Sequence, residues 1–190
     1  MRRLGFLLLI IIALGCSCAP PSPTSLFERD DEGRLISGNG DETRPAYRAT
    51  GGTPNGNICA TDADPVGFFS FVAPPSYLGP RLEAEGLLIT FNVRINQQFN
   101  LQHGRDVVIS GNGLSLSKSY PTAPAMEWTA RRVSLDGSSG WIVDESGLPA
   151  TDEDVRSVLR DLTSFRIRGE FVDGPKDTAC LDSVHFGAQR

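Results

Sequence analysis

The chain has 190 residues, with 18 Lys and Arg against 23 Asp and Glu, a formal charge of −5. It contains no Lys/Arg run, which excludes a nucleic-acid partner, because such binding needs a patch that neutralises phosphates. Apolar residues at 39 % suit one well-filled domain, and 20 Gly with 13 Pro favour many short turns and hence β structure.

Arg2 and Arg3 precede an apolar stretch from Leu4 to Gly15. It is shorter than the ~20 residues a membrane-spanning helix needs, and it fits the apolar region of an export signal behind a charged start. Gly15 directly before Cys16 resembles the lipobox of bacterial lipoproteins, where the cysteine thiol receives a diacylglyceryl group and cleavage makes it the first residue. The resemblance implies a signal peptide over 1–15 and lipidation at Cys16. The protein would then be exported and held on a membrane of the bacterial cell envelope, facing the periplasm or the exterior. The alternative is an ordinary signal peptide cut after Ala19, which puts Pro20 just past the scissile bond, where processing peptidases tolerate it poorly. Each buried CH₂ contributes ~0.8 kcal/mol, so several acyl chains anchor stably. Losing residues 1–15 removes Arg2 and Arg3 and takes the formal charge to −7. Residues 16–25, rich in Pro and Ser, have nothing to bury and read as an extended tether.

From Leu26 and Phe27 the chain reads as short strands, giving a domain over 26–187 and a tail over 188–190. Leu87, Ile89, Phe91, Val93 and Ile95 alternate with polar residues, the period-two pattern of a strand with one buried face. Asn112-Gly113 between Asp106–Ser110 and Gly113–Ser119 predicts a type I′ hairpin. Val155, Val158, Leu159 and Leu162 recur at helical spacing behind Thr151, which predicts one short helix over about 151–162 with Thr151 as N-cap and acids at its positive end. Phe165, Ile167 and Phe171 face in, and Arg166, Arg168 and Glu170 face out. A last strand over Cys180–Phe186 puts Leu181 and Ser183 on one side, Asp182 and Val184 on the other. Some nine or ten strands with no parallel βαβ rhythm predict an all-β antiparallel sandwich. Ser-Gly-Asn-Gly at 37–40 and 110–113 marks two similar turns rather than a repeat. Cys59 and Cys180 lie near the two ends of the globular part. In an oxidising compartment they can form a disulfide closing roughly 120 residues, or remain two buried thiols.

The loop GGTPNG over 51–56 leads into Asn57-Ile58-Cys59-Ala60-Thr61-Asp62, and Phe68-Phe69-Ser70-Phe71-Val72 enters the turn Ala73-Pro74-Pro75-Ser76-Tyr77-Leu78-Gly79. DVVISGNGLSL over 106–116, Trp128-Thr129, Gly140-Trp141, LTSFRIRGEF over 162–171 and Leu181-Asp182-Ser183-Val184 come after it in order. Together these resemble the laminin IV, or laminin B, domain in its stand-alone bacterial form. The resemblance implies a jelly-roll-like β-sandwich and a non-catalytic extracellular module. It places both cysteines on strands near the chain termini, in favour of the disulfide. The family opens with a Phe-Asp/Glu strand and a Glu-Gly-Trp turn. Phe27-Glu28 and Glu32-Gly33 fit, but Arg34 stands in the Trp position, which predicts that Arg34 is moved outward or its loop rebuilt. Related modules bind calcium where first and last strands meet, so Glu28, Asp62 and Asp182 are the candidate ligands of a structural calcium.

Catalytic motifs are absent. His103 and His185 are the only histidines and lie far apart in sequence, with no nucleophile elbow or phosphate loop nearby. Glu83 and Glu85 are too close for an inverting carboxylate pair and read as a solvated edge. Trp128, Trp141, Tyr120 and Tyr77 are the rings a sugar could stack on, with Trp128 and Tyr77 assigned to the core and Arg166 and Arg168 to an outward charge ladder. No ligand-binding residue is singled out. The function expected is a membrane-anchored, non-catalytic binding module for a glycan, cell-wall polymer or exported protein. The alternatives are a small carbohydrate-active hydrolase on the same fold, or a spacer with no ligand.

Overall fold

Alternating apolar and polar residues produce strands with one side to bury, and two sheets closing on each other bury both. The computed structural model describes residues 22–38, 42–62, 68–173 and 177–189; Cys16 and the export signal lie outside them. The strands are β1 (Thr24–Ser25), β2 (Leu35–Ser37), β3 (Ala46–Arg48), β4 (Asn57–Thr61), β5 (Ser70–Val72), β6 (Leu88–Ile95), β7 (Val107–Gly111), β8 (Leu114–Lys118), β9 (Thr129–Ser134), β10 (Ile142–Val143), β11 (Leu162–Arg168) and β12 (Thr178–Ala188). One helix, α1 (Asp152–Arg160), joins β10 to β11. One sheet has the order β3-β4-β12-β6-β9, with β1 also on β12; the other runs β10-β8-β7-β11-β5-β2. Every strand pair is antiparallel. This is the jelly-roll-like β-sandwich with one short helix that the sequence predicts.

Between the sheets, Phe71, Ile109, Phe165 and Ile167 meet Ile58, Ile89, Phe91 and Phe186. The rings of Phe165 and Phe186 pack edge to face across the interface, 5.3 Å apart, a geometry that adds to their burial. In the β7–β8 hairpin, Asn112 (φ 50°) and Gly113 (φ 73°) are both left-handed, as a type I′ turn requires. Helix α1 carries the capping box expected at Thr151, whose side chain accepts from the Asp154 N–H while the Asp154 carboxylate accepts from the Thr151 N–H. It ends at Arg160 because Leu162 is taken into β11. Gly111 lets the end of α1 lie on β7: a Cβ there would come within 2.3 Å of the Asp161 carbonyl oxygen.

Three local expectations are corrected. Strand β1 at Thr24 and Ser25 lies within the segment read as tether; just before it the Ser22 hydroxyl donates to the Gly187 carbonyl (3.0 Å), and the Phe186 N–H to that of Pro23 (2.9 Å). In β12 a register shift follows Asp182, where Ser183 adopts φ 51°. The extra residue resets the alternation, so Leu181 and Val184 both enter the core. Arg34 is not moved outward. It is completely buried, its guanidinium 4.9 Å from the Tyr77 ring centroid and 5.8 and 5.9 Å from those of Phe165 and Phe27. A planar, weakly hydrated guanidinium can occupy a ring's place among aromatics.

The outward side chains Cys59 and Cys180 face each other directly across β4 and β12 and form the disulfide, closing a sequence separation of 121 residues.

Candidate functional site

The two outer faces of the sandwich differ. Across the face of the β3-β4-β12-β6-β9 sheet lies the loop 51–56, tied down by its polar groups. The Asp182 carboxylate accepts from Thr53 N–H (2.5 Å) and Thr53 Oγ1 (3.1 Å). Ser183 Oγ donates to the Thr53 carbonyl (2.7 Å), and Trp128 Nε1 to that of Gly51 (2.9 Å). Gly52 is needed for this approach, since a Cβ would come within 2.0 Å of the Gly56 carbonyl oxygen.

On the other sheet a cleft of about 790 Å³ opens over the strand faces, a size in the range of small-ligand sites. Its floor is set by strand alternation. Ser164 of β11 lies beside Ser110 of β7, and Ser110 beside Ser115 of β8, so three serines form a row across the sheet. Ser110 Oγ and Ser115 Oγ are 2.8 Å apart. In the next row Arg166 lies beside Val72 and Val108, exposed, with its Nε donating to Ser164 Oγ (3.2 Å). At one rim Asp144 accepts from Ser117 Oγ (2.6 Å) and from Arg105 Nη1 (2.8 Å). At another stand His103 and Phe68, the latter 55 % exposed.

Arg168 and Glu170 do not continue an outward ladder. Both are buried, because β11 ends at Arg168 and loops fold over residues 168–170. The Arg168 guanidinium lies 5.0 Å from the Phe68 centroid and 4.9 Å from that of Phe171. Its Nη1 is 3.6 Å from Asp106 Oδ1. Gly104 admits the chain over it: a Cβ there would be 2.9 Å from Nη1. Burial pulls the Arg168 pKa down, with Asp106 and Glu170 opposing. Glu170 Oε2 accepts from the Phe69 N–H (3.2 Å). Burial, and then the charge of Asp62, raise its carboxyl from 4.5 to about 7.

An acid whose folded pKa lies above its unfolded one supports the fold fully below the unfolded value, near pH 4.5. That support fades as pH rises through about 7. Denaturant midpoints across this range should therefore show Glu170→Gln gaining on the natural chain as pH climbs. Parallel curves would show that Glu170 is not held protonated.

The remaining candidates fall elsewhere. Tyr77 and Trp141 are core residues, but Trp128 is not: it is partly exposed outside the β6–β9 sheet, with Arg94 stacked at 4.8 Å. Tyr120 packs on Phe91. Glu85 is bound to Arg156 (2.6 Å), and His185 Nδ1 is 3.2 Å from Thr24 Oγ1. The calcium candidates each have surroundings of their own. Asp182 is occupied by loop 51–56, Glu28 lines a surface groove with Arg29 and Asp30, and Asp62 is buried with its N–H on the Asp177 carbonyl (2.8 Å). Among the described residues no group of three His, Cys, Asp or Glu could hold a metal. Sequence reasoning missed Phe68, Arg105, Asp144 and the serine row. A signal existed in Leu114-Ser115-Leu116-Ser117, where hydroxyls alternate with apolar residues.

These features define a β-sandwich module with one outer face partly covered by loop 51–56 and an open, polar cleft on the other. A family model for the laminin B domain (domain IV) matches residues 70–188, and the chain belongs to that family. It is 30 % identical over 132 residues to laminin subunit gamma-2 of Equus caballus and 26 % identical over 128 residues to laminin subunit gamma-1 of Homo sapiens. These stretches cover 66 % and 63 % of this chain but only 10 % and 7 % of those subunits. The solved L4b domain of human laminin alpha-2 superposes with a TM-score of 0.69 at 12 % identity, covering 88 % of this chain and 98 % of that one. It shares the fold.

Proposed function

We propose that this protein is a non-catalytic binding module, exported and held on a bacterial envelope membrane by lipid on Cys16, whose cleft captures a polar ligand such as a glycan or cell-wall polymer. The observation that carries this is the open cleft on the β7–β11 face. Glycoside hydrolysis needs two carboxyl groups about 5–10 Å apart across the scissile bond. Among the described residues lining the cleft, Asp144 is the sole carboxylate, and Arg105 and Ser117 occupy it. Among the described residues no helix is long and apolar enough to cross a membrane; the lipid on Cys16 would supply the attachment.

The mature chain purified in detergent should retain members of a glycan array, and a cleft-filling Ser164→Trp variant should lose them while melting like the natural chain. An array blank for the natural chain, or signals untouched by Ser164→Trp, would overturn the cleft as the binding site. Detergent-phase partitioning of the natural chain and its loss in Cys16→Ser would check the anchor.

A further inference from the structure

We infer that the cleft selects an anionic glycan, with Arg166 holding a carboxylate or sulfate and Phe68 stacking on a sugar ring; this rests on the cleft being a binding site. The first support is a reversal of charge. In a chain of formal charge −5, the cleft is lined by Arg105, Arg166 and Arg168 against the single carboxylate of Asp144. Arg105 is neutralised by Asp144 (2.8 Å) and Arg168 is buried near Asp106. Arg166 differs from both. Among the described residues it has no carboxylate within 4.0 Å, and its one hydrogen bond leaves from Nε. Both Nη groups stay open in the middle of the floor, and a guanidinium fork matches a carboxylate or sulfate with two parallel bonds.

The second support is the ring beside it. Phe68 is exposed yet held in place, because Arg168 packs against it at 5.0 Å. A fixed exposed ring loses little entropy when a sugar stacks on it. The serine row supplies hydroxyls that both donate and accept, as sugar hydroxyls do. An acidic peptide suits the site less well. Extended peptides add to an unpaired sheet edge, whereas β7 and β11 are paired on both sides, and the serine floor offers no apolar pockets for peptide side chains.

The test is calorimetric titration of the mature chain in detergent with oligogalacturonate, dextran sulfate, neutral dextran and poly-glutamate. Oligogalacturonate or dextran sulfate should bind, more weakly as salt is raised, and the two arms separate carboxylate from sulfate. Arg166→Glu, at an exposed position, should weaken binding by about tenfold or more without changing the melting temperature, and Phe68→Ala should weaken it by a similar factor. Neutral dextran bound equally well by the natural chain and Arg166→Glu would overturn the anionic assignment but leave the cleft as a binding site. Poly-glutamate binding as tightly, with Phe68→Ala silent, would overturn the glycan assignment. If no polymer binds, the cleft itself fails as a site, and the inference with it.

Discussion

Replacing Cys59 and Cys180 together by alanine should lower the free energy of unfolding by about 4–5 kcal/mol, in the chain-entropy description of a loop this long. The bond closes a sequence separation of 121 residues, most of the domain, so the reduced unfolded chain gains the freedom that the crosslink denies it. The folded state should change little, because β4 and β12 are already paired over four residues, Thr178 with Thr61 through Leu181 with Ile58. Denaturant unfolding of the double variant should show a lower midpoint and a steeper slope, since a more expanded unfolded state exposes more surface. A loss below about 1 kcal/mol, well under the usual 2–4 for disulfides, would show that the unfolded chain is restrained by something other than this bond.

Arg34→Met should work in the opposite direction and stabilise the fold by about 1–4 kcal/mol, the range seen when buried charged groups give way to apolar ones of similar volume. Arg34 is 0 % exposed, and Nε, Nη1 and Nη2 lack hydrogen-bond partners among the described residues. Its surroundings are Phe27, Tyr77 and Phe165, which return about 2 kcal/mol through their ring faces when the cation is desolvated. Taking an ion out of water costs several kcal/mol, so the balance is unfavourable. The carboxylate of Glu32 already accepts from the N–H groups of Leu26 (3.1 Å) and Phe27 (2.7 Å). Burial accordingly lowers the Arg34 pKa, against the opposing effect of Tyr77. Methionine fills an equivalent length and makes favourable sulfur–ring contacts. A variant less stable than the natural chain would mean that Arg34 holds a partner that repays its burial.

Glu170 belongs to the same class of buried charge, but its consequence is a pH dependence, because a carboxyl can escape burial by keeping its proton and arginine cannot.

The amino-acid order determines, by itself, everything that depends on neighbours a few residues away. Alternation in 87–95 and from Phe165 to Ile167 defines strands and their buried faces, Asn112-Gly113 supplies the two positive φ angles of its turn, and Thr151 with Asp154 starts the helix. The ordered motifs from Gly51 to Val184 are enough for the family. What they leave open is which side of each sheet other chain segments cover, because that is set by contacts more than fifty residues apart. Trp128 meets Gly51 rather than the core, Asp182 is taken up by Thr53, and Arg168 disappears beneath Gly104 and Phe68. The positive φ at Ser183 shifts the face of the residues that follow it, up to Phe186, a change no alternation pattern announces. The cleft is the clearest case. Its serines and Arg166 are legible as outward residues of β7, β8 and β11, but they become a site only because sheet order sets them side by side.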